Sequence, residues 1–405
     1  MNSQRAAGPS YSPAGPPEAR TKASGGRWKG AGRRTGSSKR SAPARFPPGG
    51  RWGILGSMVR DGARPAKESI PLWARALLPL GAAFLGAARL KAFLYERGLL
   101  RRSVLPAPSV SVGNLTFGGT GKTPVTLALA RLLRERGERP AVLLRGYGRR
   151  ASVPLRVFPS SDPGQVGEEA LLYARTMPDL PVAVAGRREE GAALLAPDAP
   201  TVFLLDDAFQ HQRVARDLDL LLVDASRPGD LRTPPAGRLR EPLSAASRAH
   251  LLVVTRGEKV PAPLARLWGS RPQVRARFRW SREPESVPAG VTWATLAASQ
   301  VVAFAGIGHP AAFFEQARNR GLDLAAALPF PDHAAPTPQR RAALLEAVRG
   351  SNAGAVLTTE KDAVKWAPAW TGGPPLVWPR LEVEFDDPQG RLGALLEEAL
   401  ARRRS

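Results

Sequence analysis

The chain has 405 residues, 43% of them hydrophobic, so it is long enough to bury a core and to form two domains. Lys and Arg outnumber Asp and Glu by 59 to 35, and the net charge of +24 favours an anionic partner such as phospholipid, nucleotide or nucleic acid. The absence of cysteine excludes disulfides, thiolate metal sites and thiol nucleophiles, and a multi-histidine metal centre would need three of the four histidines to converge.

Residues 1–70 differ from the rest of the chain in composition. They are rich in Gly, Pro, Ser and Ala and carry 14 Lys or Arg against three acidic residues. Because such a segment cannot bury enough apolar surface to offset its ordering entropy, we expect a disordered basic tail. Two interpretations stay open. The tail is a polybasic anchor for anionic lipid or nucleic acid, or it has no role and the true start lies nearer Met58.

Residues 71–100 are predicted to form a helical segment at a membrane interface. The uncharged run from Ala76 to Ala88 has 13 residues, fewer than the roughly 20 that a bilayer-spanning helix needs. Cations such as Arg89 and Lys91 interrupt the apolar pattern, which favours one or two helices lying on anionic lipid. A helix that packs on the core is the alternative interpretation, and a single-pass anchor fits less well.

After residue 106, short apolar runs alternate with helical patterns, which is typical of an α/β protein. Runs such as TVFLLDD, LDLLLVDA and HLLVVTR suit strands of a parallel sheet buried on both faces. We predict a P-loop NTPase-like parallel sheet sandwich with a second, smaller α/β domain. The predicted boundaries are a core over 101–256, a connecting region over 257–295 and the smaller domain over 296–405.

The most specific local motif is a glycine-rich loop between a predicted strand, SVSVGN, and a predicted helix. Glycines allow backbone N–H groups to curl around phosphate oxygens, the lysine reaches the β- and γ-phosphates, and the threonine can bind Mg²⁺. The general pattern has glycine where this chain has Thr116. The predicted nucleotide-binding residues are Gly118, Gly119, Thr120, Gly121, Lys122 and Thr123.

A second motif is the apolar strand that starts at Thr201 and ends in Asp206 and Asp207. A strand end beside a P-loop is where an acidic side chain holds Mg²⁺ or its waters. Strands also end in Asp for reasons of turn formation. The pairing with the P-loop favours the role in metal binding.

Seven separate strings along the chain carry a resemblance to a known family. They are VGNLTFGGTGKTP (112–124), LLRGYGRR (143–150), LLDDAFQHQRVARDLDLLLVDA (204–225), PPAGRLREPLS (234–244), FAGIGHPAAFF (304–314), FPDH (330–333) and TTEKDAVK (358–365). Taken together, these strings resemble the lipid A tetraacyldisaccharide 4'-kinases, over roughly residues 71 to 375. The strings occur in the family's order, which is more specific than a P-loop alone.

The resemblance implies transfer of the ATP γ-phosphate to the 4'-hydroxyl of a tetraacyl disaccharide 1-phosphate, with Mg²⁺ held by Thr123, Asp206 and Glu169. It implies that Glu168, where the family has Asp, pairs with His333 to deprotonate the hydroxyl, and it makes Asp206 and Asp207 catalytic. Imidazole titrates near neutral pH, which independently suits His333 to this role. The implied substrate-binding residues are Asn114, Arg145, Arg187, Gln210, His211, Arg238 and Arg240.

The expected partners are therefore the acylated disaccharide lipid and an anionic membrane surface, at the cytoplasmic face of the inner membrane. We expect neither nucleic acid nor an obligate protein partner. Two other classes stay open. One is a non-enzymatic P-loop nucleotide switch, which would need no hydroxyl base. The other is a basic nucleic-acid-binding protein, which rests on charge alone and lacks a known motif.

Overall fold

Residues 77–402 are described by a computed structural model and are organised around two β-sheets within one compact unit. The predicted tail at 1–70 and the first six residues of the predicted interface segment, 71–76, lie outside the described residues. Two lobes are defined by the sheets and are called the large lobe and the small lobe below.

The sheet of the large lobe has nine strands in the order β14-β8-β7-β6-β1-β5-β2-β4-β3. All neighbouring pairs are parallel except the two edge pairs, β3 with β4 and β14 with β8. The strands are β1 (Ser109–Asn114), β2 (Pro140–Leu144), β3 (Leu155–Val157), β4 (Val182–Val184), β5 (Val202–Asp206), β6 (Leu218–Asp224), β7 (Leu251–Thr255), β8 (Gln273–Trp280) and β14 (Leu381–Asp386).

Every residue of the five central strands β1, β2, β5, β6 and β7 is buried. This burial explains the largely apolar sequences of β2, β5, β6 and β7, because helices cover both faces of a parallel sheet. The helices of this lobe are α1 (Leu78–Glu96), α2 (Lys122–Glu135), α3 (Pro163–Val166), α4 (Glu168–Thr176), α5 (Arg188–Leu194), α6 (Ala262–Trp268) and α11 (Arg391–Ala401). The predicted P-loop NTPase-like sandwich is confirmed.

The sheet of the small lobe has five strands in the order β11-β10-β12-β13-β9, of which only the β9–β13 pair is antiparallel. Its strands are β9 (Glu285–Val287), β10 (Gln300–Ala305), β11 (Asp323–Pro329), β12 (Ala355–Leu357) and β13 (Leu376–Trp378). Its helices are α7 (Trp293–Ala297), α8 (Pro310–Asn319), α9 (Pro338–Ser351) and α10 (Glu360–Trp366). Short 3₁₀ turns cover Ala196–Asp198, Pro228–Leu231, Leu243–Arg248 and Ala367–Ala369.

The predicted boundaries at 257–295 and 296–405 do not coincide with the lobes. Strand β8, from the predicted connecting region, and β14 with α11, from the predicted smaller domain, belong to the large lobe. Strand β8 alternates buried apolar residues with exposed arginines, so its sequence lacks the continuous apolar run of the central strands. The chain therefore crosses between the lobes twice. The two crossings lie side by side, because Ser281 N in the first donates to Arg380 O in the second at 2.9 Å.

Helix α1 lies on the surface of the large lobe. It buries Gly81, Leu85 and Ala92 and leaves Leu80 and Phe84 exposed. A Cβ on Gly81 would lie 1.7 Å from the carbonyl oxygen of Pro234, so glycine is required for this close approach. Within residues 77–402, no helix combines the length and apolar character needed to cross a bilayer.

Candidate active site

The glycine-rich loop joins the carboxyl end of β1 to the start of α2. Gly118 and Gly121 have φ values of 114° and 89°, in the region that favours glycine. A Cβ on Gly121 would lie 2.3 Å from Cζ of Phe278, so a side chain at this position would displace the ring from β8. The loop thus passes close to Phe278 on β8. Its backbone lies at the N-terminus of α2, where an anion is stabilised.

Segment 231–243 forms the neighbouring wall of this loop. Phe117 N donates to Arg238 O, and Arg240 N donates to Leu115 O, both at 2.7 Å. Thr116, where the general pattern has glycine, makes an isolated antiparallel bridge with Leu239. The first half of the loop is therefore held by strand-like pairing, which accommodates a threonine.

Asp207 is held by two cations. Its Oδ1 lies 3.5 Å from Lys122 Nζ, and Arg240 Nη1 donates to both carboxylate oxygens at 2.8 and 2.9 Å. Burial pushes the pKa of Asp207 upward, but the charges of Lys122 and Arg240 outweigh it and hold the pKa below its ordinary value. Asp207 is therefore ionised at neutral pH, and its carboxylate pairs with Lys122 at the start of α2.

Asp206, the last residue of β5, is 3% exposed. Tyr173 donates its hydroxyl to Oδ2 at 2.8 Å, while the buried Oδ1 has no hydrogen-bond partner within residues 77–402. Burial, reinforced by the charge of Glu169, raises the pKa of Asp206 to about 7. A buried carboxylate oxygen without a partner is costly, and a bound cation would satisfy it.

The predicted Mg²⁺ ligands lie on three different elements, and the first of them, Asp206, ends β5. Thr123 is the second residue of α2, and Glu169 lies in the first turn of α4. Among the described residues, no group of three or more His, Asp or Glu side chains is arranged to hold a metal. Phosphate oxygens and water would therefore supply part of the coordination shell, as is usual for Mg²⁺.

His333 and Glu168, which are 165 positions apart, are in contact across the two lobes. His333 Nδ1 lies 2.9 Å from Glu168 Oε2, so the longer side chain of glutamate reaches the imidazole. Burial raises the pKa of Glu168, but the bond from His333 and the charge of Lys365 outweigh it and lower that pKa overall. Tyr173, on the helix that begins with Glu168, donates to Asp206 at the carboxyl end of β5, so α4 links the His333–Glu168 pair to the strand-end carboxylates.

The predicted substrate-binding residues fall into two groups. Gln210 donates to Asn114 O at 2.7 Å, and burial together with the charges of Arg188 and Arg145 lowers the pKa of His211 to about 4. Arg145, Gln210, His211, Arg238 and Arg240 therefore gather around the carboxyl end of the sheet.

Asn114 and Arg187 are placed differently. The Asn114 side chain is fully buried and donates to Thr116 O at 2.9 Å, so it shapes the loop instead of facing a substrate. Arg187 is exposed and pairs with Glu189 at 3.2 Å. The buried cation is its neighbour Arg188, whose Nη2 donates to Asp206 O at 3.3 Å.

Sequence reasoning missed four side chains of the site: Arg188, Tyr173, Arg256 and Lys361. Arg256 donates to Gly119 O at 2.7 Å and to Asp224 at 2.8 Å, and it supports the loop from β7. Lys361 lies 3.2 Å from His333 Nε2. A signal existed only for Lys361, since it belongs to the TTEKDAVK string and shares a helix face with Lys365.

A phosphate-binding loop, two strand-end carboxylates and a histidine–carboxylate pair on one edge of a parallel sheet define a P-loop phosphotransferase. Comparison with known proteins gives the family. The model of the family described as tetraacyldisaccharide-1-P 4'-kinase, LpxK, matches residues 73–401. The chain belongs to this family.

Relatives and a solved structure agree with that assignment. The tetraacyldisaccharide 4'-kinase of Pelobacter propionicus is 43% identical over 326 residues, which are 78% of this chain and 88% of that protein. The same-named protein of Geobacter metallireducens is 43% identical over 294 residues, 70% of this chain and 85% of that protein. The crystal structure of LpxK from Aquifex aeolicus in complex with ATP matches with a TM-score of 0.66 at 29% identity, and covers 80% of this chain and 99% of that chain.

Proposed function

We propose that this kinase transfers the γ-phosphate of ATP to the 4'-hydroxyl of a tetraacyl disaccharide 1-phosphate. One observation carries the proposal beyond family membership. The 2.9 Å contact between His333 Nδ1 and Glu168 Oε2 joins an imidazole to a carboxylate, as a hydroxyl base requires. Glu168 begins the helix whose Tyr173 donates to Asp206, the sequence neighbour of Asp207 in the Lys122–Asp207 pair. Phosphoryl transfer depends on positioning and charge stabilisation, and this arrangement provides both.

The nucleotide lies along the loop from Gly118 to Thr123. Its β- and γ-phosphates meet the loop backbone, and Lys122 exchanges its contact with Asp207 for phosphate oxygens. Thr123 and the unpartnered Oδ1 of Asp206 would hold Mg²⁺, and Glu169 would bind its waters. When bound, the ion neutralises charge that develops on the phosphoryl group.

The acceptor hydroxyl approaches from the small lobe. His333 takes its proton, and Glu168 stabilises the imidazolium that forms. Arg145, His211 and Arg240, near the carboxyl end of the large sheet, would bind the anionic head group of the acceptor. The chemistry therefore takes place between the two lobes.

We propose that helix α1 docks on a membrane surface and that this surface is the cytoplasmic face of the inner membrane. Leu80, Phe84, Leu90 and Phe93 are each more than two-fifths exposed on this helix. Arg89 and Lys91 accompany them and suit anionic head groups. An apolar cleft of about 480 Å³ lies between α1 and segment 231–243 and continues this surface.

The nucleotide-switch interpretation is set aside because the chain belongs to a kinase family and carries a hydroxyl base that a switch does not need. The nucleic-acid interpretation rested on total charge. Residues 1–70 contribute 14 of the cations behind that charge, and these residues lie outside the described part of the chain.

The test is phosphate transfer by the purified full chain in detergent micelles that contain the lipid disaccharide, with γ-labelled ATP. We expect a labelled lipid product, and Lys122→Ala should reduce its formation at least about 100-fold, because a preorganised charge on the phosphates is lost. Arg349→Ala, which removes an exposed cation from the end of α9, is the matched control and should be fully active. Absence of lipid labelling by the parent protein would overturn the acceptor assignment.

A further inference from the structure

Helix α10 places two lysines, one turn apart, on either side of the Glu168–His333 pair. Lys365 Nζ forms an ion pair with Glu168 Oε2 at 3.1 Å, and its side chain is 7% exposed. Lys361 Nζ lies 2.9 Å from Asp332 Oδ1 and 3.2 Å from His333 Nε2. Both ends of the pair thus meet an ammonium group from the same helix.

The helix and the histidine loop are attached to one buried carboxylate. Asp362 Oδ2 accepts from Thr359 Oγ1 at 2.6 Å, at the start of α10, and from Gly306 N at 2.9 Å. Gly306 O in turn accepts from His333 N at 3.3 Å. A Cβ on Gly306 would lie 2.8 Å from Asp362 Oδ1, so the approach is as close as the backbone allows.

The same helix is tied to the large lobe beside Glu168. Arg175 on α4 donates to Val364 O at 2.6 Å, and Thr176 donates to Glu360 Oε1 at 3.0 Å. Val364 packs within the core cluster of the large lobe. Lys361 is therefore carried on a short, well-anchored helix, and its reach to His333 is set by the fold.

Hydrogen-bond chemistry then assigns the tautomer of His333. An ammonium group has three donors and no acceptor, so the contact with Lys361 requires a lone pair on Nε2. The proton of the neutral ring is consequently on Nδ1, where it is donated to Glu168 Oε2. Asp332 offers Lys361 a second anchor, and its pKa is below the ordinary value because the bond and charge from Lys361 outweigh burial.

We propose that Lys361 is a positioning residue that fixes the Nδ1–H tautomer of His333 and occupies its Nε2 lone pair until the acceptor hydroxyl replaces it. The hydroxyl proton then passes to Nε2 while the sugar oxygen bonds to the γ-phosphorus and the bond to the ADP oxygen breaks. Lys361 stays on Asp332 meanwhile, and the proton leaves His333 to solvent after release. This inference rests on the base role proposed above for His333.

The tautomer can be tested without activity. In ¹⁵N-histidine-labelled full-length protein only four imidazoles contribute, and His333→Ala identifies the signal of His333. We expect the nitrogen shifts of the Nδ1–H form in the parent protein and a shift towards the Nε2–H form in Lys361→Met. Nε2–H shifts in the parent protein would overturn the inference, as would an unchanged spectrum in Lys361→Met.

Kinetics separate this inference from the proposed base. We expect Lys361→Met to lower kcat at least about tenfold with little change in KM for ATP, and Lys361→Arg to recover part of it. Arg349→Met is the control and should match the parent. The double variant Lys361→Met/His333→Ala should be no slower than His333→Ala alone, because both act through one imidazole.

The outcomes are distinguishable. A fully active His333→Ala would reject the base, and with it this inference. Suppose instead that His333→Ala loses most of its activity while Lys361→Met has normal kcat, or that the effects of the two substitutions multiply in the double variant. Either result would reject the role of Lys361 and leave the base intact.

Discussion

The hydroxyl of Tyr173 donates to Asp206 Oδ2 at 2.8 Å and leaves the other carboxylate oxygen free of protein partners within the described part of the chain. Tyr173 is fully buried on α4, the helix that also begins with Glu168. One short helix therefore orients the proposed metal ligand and presents the carboxylate of the base pair.

Tyr173→Phe should weaken the metal site without removing a ligand. Both oxygens of Asp206 would then lack a protein donor, and loss of a buried hydrogen bond costs about 1–3 kcal/mol. We expect Mn²⁺ affinity in the presence of ATP, measured by electron paramagnetic resonance, to fall several-fold, and the melting temperature to fall as well. Tyr95→Phe on α1 is the control. Unchanged Mn²⁺ affinity would show that Tyr173 does not orient Asp206.

Glu168→Asp should impair catalysis, although aspartate is the residue that the resemblance led us to expect. Removing one methylene withdraws the carboxylate by about 1.5 Å, which breaks the 2.9 Å contact with His333 unless α4 moves. We expect kcat for lipid phosphorylation to fall about tenfold or more, with KM for ATP nearly constant. Glu190→Asp, on α5, is the control. Equal activity of Glu168→Asp would mean that the reach of glutamate is not needed here.

Acid should destabilise the fold through His211. Burial and the charges of Arg188 and Arg145 lower its pKa to about 4, whereas imidazole in an unfolded chain has a pKa of about 6.5. The unfolded state therefore binds the proton first, so this contribution to stability is present above pH ~6.5 and is lost as pH falls through ~4. His211→Gln should show a smaller loss of melting temperature between pH 7 and pH 4.5 than the parent.

The exposed His309 provides the comparison for that experiment. His309→Gln should retain the pH dependence of the parent protein. If His211→Gln also retains it, the imidazole of His211 is not the group responsible.

Negative charge introduced on the apolar α1 surface should release the protein from membranes. Leu80 and Leu90 are 69% and 58% exposed on this helix, so aspartate at either position would place a carboxylate against anionic lipid. We expect Leu80→Asp/Leu90→Asp to reduce sedimentation with phosphatidylglycerol vesicles at least about tenfold. Leu267→Asp changes a residue that is 55% exposed on α6 and should sediment normally. Equal loss in both variants would mean that α1 is not the docking surface.

The sequence predicted the central sheet because strands β2, β5, β6 and β7 are largely apolar runs, and it predicted the P-loop because glycine, lysine and threonine occur in a fixed local order. The sequence predicted irregular strands in the connecting region and did not assign β8 to the large sheet, because arginines alternate with its buried residues. Tyr173 and Arg188 were missed because their partner, Asp206, lies far away in sequence and no local pattern indicates the contact. The Glu168–His333 contact was predicted only through the family resemblance.

The same limits apply to Asn114 and Arg187. Both occur in strings that resemble the family, but a string does not reveal which way a side chain points. The asparagine turns inward to Thr116, and the guanidinium that enters the protein belongs to Arg188.

The position of β14 has a consequence for how the chain matures. This strand pairs with β8, and the sequence between the two strands forms the small lobe. Helix α11 follows β14 and packs on the core of the large lobe. During synthesis the small lobe can fold while β8 still presents an open edge, and the large sheet is finished only when β14 leaves the ribosome. Loss of β14 would leave the edge of β8 unpaired and available for aggregation. Proteolysis that removes the residues from 381 onwards should therefore yield insoluble protein before it yields an inactive enzyme.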